Sequence, residues 1–249
     1  MRVRTVHNTR VAVILPAYNE AASVASVVTA IRREIPTARI VVVDDGSSDD
    51  SARMASGAGA DVLSLPYNLG IGAAVQTGYL FATEAGFDVV ARLDSDGQHN
   101  PMQLTSLIDP IIAGQADVVI GSRFLTSSGY QASLSRAVGT KVFAVLVSFI
   151  TRQRFTDTTS GFQAANQAAA RFLATHMPTD YPEIEGLVML CRAGFRVREV
   201  AVTMRPRKSG HSSITPLRSA YYVLKVTLAV LVSLFQPVPG MIEDDDGAR

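Results

Sequence analysis

The sequence predicts an α/β fold: a mainly parallel, twisted sheet flanked by helices on both faces. Five short runs rich in valine and isoleucine recur along the first half, namely VAVILP (11–16), RIVVVDD (39–45), DVLSLP (61–66), DVVARLD (88–94) and DVVIGS (117–122). They are continuously apolar rather than alternating, as expected of strands buried on both faces of a parallel sheet. Helix-like segments at 20–34, 48–58, 70–85 and 101–113 fill the gaps, which is the beat of strand–helix crossover units. Most of these strands run into a polar stretch: PAYNE, DDGSSD, DSDGQH and GSR. Ligands of such sheets bind beyond the carboxyl ends of the strands, near a switch in strand order, so these stretches are expected on one rim.

From about residue 130 the beat changes. A helix-like apolar segment (134–150) is followed by the polar loop RQRFTDTTSGF, an alanine-rich helix (166–175), a helix from Glu183 to Ala193 and the strand-like FRVREVAV. There is no low-complexity linker and no internal repeat. The expected organisation is one domain over 1–215, followed at 216–249 by an amphipathic, interfacial helix and an acidic tail.

With 249 residues the chain can bury a sizeable core without disulfides,. Its 23 basic and 22 acidic residues argue against a dedicated nucleic-acid binder, which would be strongly basic. The single cysteine, Cys191, lies in the apolar GLVMLCRAG and reads as a small buried hydrophobe; one thiol also suits a reducing compartment. The N-terminal run VAVILPA is too short for a signal-peptide core. AYYVLKVTLAVLVSLFQPVPG is the most hydrophobic stretch, but Lys225 interrupts it and Gln236 and Pro237 close it, short of the ~20 apolar residues that span a bilayer.

The chemistry concentrates in LDSDGQHNP. Asp94, Asp96 and Gln98 alternate, so in an extended chain they share a side, while Ser95 and Gly97 allow close backbone approach,. Oxygen ligands of this kind suit a hard cation, Mg²⁺ or Mn²⁺, bound through one or two carboxylates and the phosphates of a substrate. A solvated turn is the plainer alternative. His99 reads as a neighbour packed beside the loop. In VVVDDGSSDD, Asp45 is placed to accept hydrogen bonds from a base or ribose, and Ser47 or Ser48 to cap the next helix.

Gly70, Gly72 and Ala74 match the dinucleotide fingerprint GxGxxA, but they follow the third strand and lack a matching ribose acid, so a nicotinamide site is not expected,. Arg123 follows a strand end, and Arg136, Arg205, Arg207 and Lys208 can add positive charge suited to phosphate. From Ala201 to Ile242 there are five Lys or Arg residues (205, 207, 208, 218 and 225) and no acid. Joined to the apolar run at 220–235, they resemble an interfacial anchor for anionic headgroups; a core or dimer helix is the alternative, which leaves a homo-oligomer open. Glu183 and Glu185 in YPEIEGL either complement a helix dipole or supply a base or a sugar contact.

PAYNE, VVDDGSSDD, NLGIGAAVQTGY, LDSDGQHNP, GSRF, DTTSGFQA and YPEIEGL, in this order and spacing, resemble a family 2 glycosyltransferase of the dolichol-phosphate mannose synthase type over residues 10 to about 215. The resemblance implies a GT-A fold, a divalent metal and inverting transfer from a nucleotide-diphosphate sugar. It implies that Pro16, Tyr18 and Glu20, with Val43 and Asp45, line the base and ribose site. Asp94, Ser95 and Asp96 would serve the diphosphate, with Asp94, Asp96 and Gln98 on the metal. Arg123, Arg136 and Thr140 match positions that handle the acceptor phosphate, and Arg207 matches a basic residue of a loop over the donor. Gln163 stands where these enzymes often carry arginine, and Thr140 replaces a serine. The implied reaction delivers a hexose from a GDP-mannose or UDP-glucose type donor to a polyprenyl phosphate or other lipid at the membrane surface, on the cytoplasmic face of the cell membrane. A hydroxyl acceptor would instead need a base, for which Asp157 and Glu185 are the candidates. A homologue that binds nucleotide sugars without catalysis is the reading from another class.

Overall fold

The computed structural model describes residues 9–125, 134–178, 181–205 and 216–235. In chain order the elements are β1 (Val11–Ala17), α1 (Val24–Glu34), β2 (Arg39–Asp44), α2 (Ser51–Gly57), β3 (Asp61–Ser64), α3 (Ile71–Glu84), β4 (Val89–Arg92), α4 (Leu104–Ile112), β5 (Val118–Ser122), α5 (Leu134–Thr151), β6 (Gln163–Asn166), α6 (Gln167–His176), α7 (Pro182–Arg192), β7 (Val197–Ala201) and α8 (Pro216–Phe235). The strands form one sheet in the order β3-β2-β1-β4-β6-β5-β7. All neighbours are parallel except β6, which is antiparallel to β4 and β5.

Period-two alternation divides the strand side chains between two apolar layers. Ala12, Ile14, Val41, Val43 and Val90 pack with α3, α6 and α7, and Val13, Leu15, Val42, Ala91 and Leu93 pack with α1 and α4. Both faces are therefore covered, as the unbroken valine and isoleucine runs predict. Cys191 packs against the first layer, and burial pushes its thiol up to about 12, the behaviour of a small hydrophobe.

Strand β6 is the element that the sequence conceals. The DTTSGF loop leads not straight into a helix but into the four-residue strand QAAN, whose alanines carry little β-propensity of their own,. Asn166 then accepts a bond from Ala169 N at 2.8 Å and caps α6, so one residue ends the strand and starts the helix.

Sheet growth reverses at β1: β2 and β3 extend from one side of it and β4 lies on the other. The crevice beyond the carboxyl ends of β1 and β4 is thus the switch point where such sheets bind ligands. Helix α8 packs on α5 and α7 and buries Val226 and Val230 in the first layer, while Leu228, Leu231, Val232 and Phe235 stay exposed. Among the described residues no helix is long and apolar enough to cross a membrane. The acidic tail lies outside the described residues.

Candidate active site

A cavity of about 470 Å³ opens at the switch point. The β1 end contributes Pro16, Tyr18 and Glu20 to its wall. Ser95, buried, donates its hydroxyl to the Pro16 carbonyl at 2.8 Å and so ties the β4 end to β1. From β2 comes Asp45, also buried, which accepts Leu69 N at 2.8 Å and Gly70 N at 2.9 Å. It therefore pins the NLGIG loop, and what remains of its lone pairs serves the cavity. Gly46 beside it has φ +69°, and a Cβ there would lie 2.6 Å from the Tyr67 carbonyl carbon, so only glycine fits this approach. Val43 departs from expectation: it lies on the same strand face as Asp45 but one pleat deeper, wholly inside the apolar layer, and does not line the cavity.

Asp94 and Asp96 line the cavity and Gln98 does not. The expected alternation fails because the chain turns at 95–97 with Gly97 at φ +77°. The Gln98 amide comes back to Asp96 Oδ1 at 2.9 Å, and its carbonyl accepts Arg205 N at 2.8 Å. The residue that reaches Asp94 is instead His99, with Nε2 3.1 Å from Oδ2. His99 is buried against Phe162, more than a packed neighbour. Burial works to raise the Asp94 carboxyl, but the bond and charge of His99, with Arg92 and Arg123 further off, hold it well below the usual carboxylate range,. It is thus ionised at any physiological pH.

Two further wall residues were not singled out as a pair by the sequence. Arg92, at the end of β4, is buried, ion-paired to Glu183 and 4.0 Å from Asp94 Oδ1. Glu183 occupies the first turn of α7 and lines the cavity; Glu185 does not. Successive helix residues turn by about 100°, so residues two apart face nearly opposite ways, and the expectation for Glu185 shifts to Glu183.

Gly161, from the SGF segment, leaves the space that Asp94 fills: a Cβ at 161 would stand 2.8 Å from Oδ1. Gly161→Ala should push the carboxylate aside. Since a misplacement of about 1 Å can cost ~10²-fold in rate, turnover is expected to fall by about that factor while the thermal midpoint moves only a few degrees. Unchanged kinetics would show that the Asp94 position is not critical.

Asp157, the other candidate base, is placed as the partner of an arginine. It is fully buried and grips Arg123, accepting Nε at 2.6 Å, the backbone N at 3.1 Å and Nη2 at 2.7 Å, and it also accepts the Thr159 hydroxyl at 3.2 Å. Both of its oxygens are thus engaged, and it does not line the cavity. Arg123 in turn donates Nη2 to the Thr159 hydroxyl at 2.7 Å, and Thr159 lines the cavity. On the other side, Phe124, Thr140, Lys141, Ala144, Val145, Arg154 and Phe155 line a second groove of about 580 Å³. Arg123 itself lines neither space but lies between them, bonded to Thr159 of the cavity wall and followed in sequence by Phe124 of the groove wall, where Thr140 also stands. The side chain of Arg136 and all of Arg207 lie outside the described residues.

Among the described residues no three His, Cys, Asp or Glu side chains converge to hold a metal ion by themselves. Asp94 and Asp96 nevertheless fit Mg²⁺ or Mn²⁺, which commonly take one or two carboxylates and complete their shell with substrate phosphates and water. The donor set suits a cation that arrives with a diphosphate.

The profile of the Glycosyl transferase family 2 matches residues 12–174. The polyprenol monophosphomannose synthase of Mycolicibacterium smegmatis is 29% identical over 216 residues, covering 83% of this chain and 81% of that protein. The undecaprenyl-phosphate mannosyltransferase of Micrococcus luteus is 29% identical over 215 residues, covering 83% and 88%. Among solved structures, glucosyl-3-phosphoglycerate synthase from Mycobacterium tuberculosis, in complex with Mn²⁺, uridine diphosphate and phosphoglyceric acid, superposes with a TM-score of 0.69 at 22% identity, covering 92% of this chain and 82% of that one. That likeness establishes the fold, which is of the GT-A type.

Proposed function

The chain belongs to glycosyl transferase family 2, and on that premise we propose that it transfers a hexose, with inversion, from a nucleotide-diphosphate sugar to a polyprenyl phosphate at a membrane surface. The observation that carries the lipid acceptor is the pairing of two unlike sites across Arg123. On one side lies the acidic donor cavity; on the other lies the groove walled by Phe124, Ala144, Val145 and Phe155 with Lys141 and Arg154 beside them. The groove opens on α5, where Val145 and Phe149 are exposed at 64% and 83%, and α8, which packs on α5, exposes Leu231 and Phe235. The stretch 118–156 has five Lys or Arg residues and no acid, and so has 201–242. Basic charge around an apolar face suits an anionic lipid surface.

In this mechanism Tyr18, Glu20 and Asp45 hold the nucleoside, and Asp94 and Asp96 hold the cation and diphosphate. A bound Mg²⁺ or Mn²⁺ supplies charge that neutralises the leaving group. Arg123, oriented by Asp157, steadies the acceptor phosphate together with Thr140, so that its oxygen meets the anomeric carbon from the face opposite the diphosphate. A phosphate monoester is anionic near neutral pH and needs no base. That agrees with the engagement of Asp157 and with Glu185 lying off the cavity wall.

The test is transfer from GDP-mannose and UDP-glucose, with Mn²⁺ or with chelator, to a short polyprenyl phosphate or to a soluble alcohol. The relatives' mannosyl names put a mannose donor first, and the uridine diphosphate of the fold neighbour puts UDP-sugars beside it. Transfer to alcohols alone would overturn the lipid acceptor; metal-dependent nucleotide binding without turnover would mark a non-catalytic homologue. The paired change Phe149→Asp, Phe235→Asp should weaken binding to anionic phospholipid vesicles by at least about tenfold, since burying one phenylalanine contributes roughly 1.5–3 kcal/mol. Unchanged co-sedimentation would exclude this face as the docking surface.

A further inference from the structure

The donor cavity contains an ion pair that the mechanism above leaves without a task. Arg92 is 2% exposed, its Nη2 is bonded to Glu183, and its Nε has no hydrogen-bond partner. Buried ion pairs stabilise a fold poorly compared with apolar side chains of the same volume. This one does not close a core either, because both members line the cavity.

We infer that Glu183, held in place by Arg92, accepts a hydrogen bond from a hydroxyl of the sugar being transferred and so determines which sugar the donor carries. The inference rests on the reading of the cavity as a nucleotide-sugar site.

The order of the cavity wall across the sheet supports it. Asp45 stands at the end of β2, Pro16, Tyr18 and Glu20 at the end of β1, and Asp94 and Asp96 after β4. Strands lie about 4.8 Å apart, so a nucleoside at β2 and β1 places its diphosphate over β4, roughly 10 Å along. The group attached to the far phosphate then lies beyond β4. There the wall is made by Arg92, Glu183, Thr159 and Gly161.

The chemistry of that wall suits a sugar. A carboxylate paired with an arginine offers acceptor oxygens, and hydroxyls are the donors that a hexose brings to them. Arg92 occupies Glu183 Oε1, and no other hydrogen bond to Glu183 is found among the described residues, so Oε2 is left for a ligand. The carboxylate is also rigidly presented: α7 starts with Pro182 at its first helical position, which pre-organises the turn, and Glu183 is tied to the sheet through β4. A site built around a substrate hydroxyl discriminates strongly against the analogue that lacks it.

The experiment is calorimetric binding, with Mn²⁺ present, of UDP, GDP, UDP-glucose, GDP-mannose and the preferred donor deoxygenated at each sugar hydroxyl in turn. For Glu183→Gln we expect affinity for the nucleoside diphosphate within about twofold of wild type and affinity for the nucleotide sugar lowered about tenfold or more. One deoxy donor should bind wild type weakly and lose nothing further in the variant. The double change Arg92→Met, Glu183→Leu removes the pair without stranding a charge and should show the same loss of sugar discrimination if Glu183→Gln folds poorly. Equal losses for nucleotide and nucleotide sugar, or undiminished discrimination among all the deoxy donors, would overturn the inference and leave the pair a structural role. If the wild type binds no nucleotide and no nucleotide sugar, the functional reading itself falls.

Discussion

Asp94→Asn should lower sugar transfer by about 10³-fold, the scale seen when one preorganised electrostatic group is removed from an active site, while the protein stays folded at neutral pH. Asp94 is the carboxylate around which the cavity is arranged: His99 bonds it, Arg92 lies 4.0 Å away and Gly161 leaves its space. Asparagine fits that space but carries no charge for the metal-diphosphate unit, so the loss should appear in turnover at saturating donor as well as in donor affinity. Stability in chelator gives a second reading. The folded-state pKa of Asp94 lies below its unfolded value, so its stabilising contribution is complete above the unfolded pKa, about 3.9. That contribution is lost as pH falls from there toward the folded value. The wild type should therefore exceed the variant in urea midpoint at pH 7, and the gap should narrow below about pH 4. A gap that stays constant down to pH 3 would mean that charge is not what Asp94 contributes.

The features legible in the sequence are those that local periodicity encodes. Valine and isoleucine runs place six of the seven strands, and acids immediately after such runs place Asp45, Asp94 and Asp96 on one rim, where the cavity holds all three. Side chains that act through partners far along the chain leave no period to read. Arg123 meets Asp157 across 34 residues and Arg92 meets Glu183 across 91. Asp157 consequently reads as a free acid beside a loop until its guanidinium is seen. Gln98 fails for a different reason: Gly97 turns the chain, and the two-residue period that would align it with Asp96 stops there. One signal was available. An arginine inside the apolar DVVARLD must be buried, and a buried charge requires a partner; the acids of YPEIEGL were the apolar-flanked candidates for it.

Asp157→Asn separates positioning from proton transfer by the quantity that it changes. A general base replaced by its amide keeps the fold and loses turnover. Here Asp157 is 0% exposed and is the main partner of the Arg123 guanidinium, which is itself 9% exposed. Its loss leaves a buried cation half-satisfied, which typically costs about 3–5 kcal/mol. For a chain of this size that corresponds to a fall of roughly 1–2 M in the urea midpoint. Apolar replacement of both members, Arg123→Met with Asp157→Leu, removes the stranded charge and should restore much of the stability. It should not restore transfer, because the guanidinium between donor cavity and groove is gone. If Asp157→Asn instead unfolds at the wild-type midpoint while turnover disappears, Asp157 acts on the reaction directly, and the hydroxyl-acceptor chemistry set aside above regains its base. The same pair of variants thus tests the assignment of Arg123 to the acceptor side: stability should follow the pairing of the charge, and activity should follow the presence of the arginine.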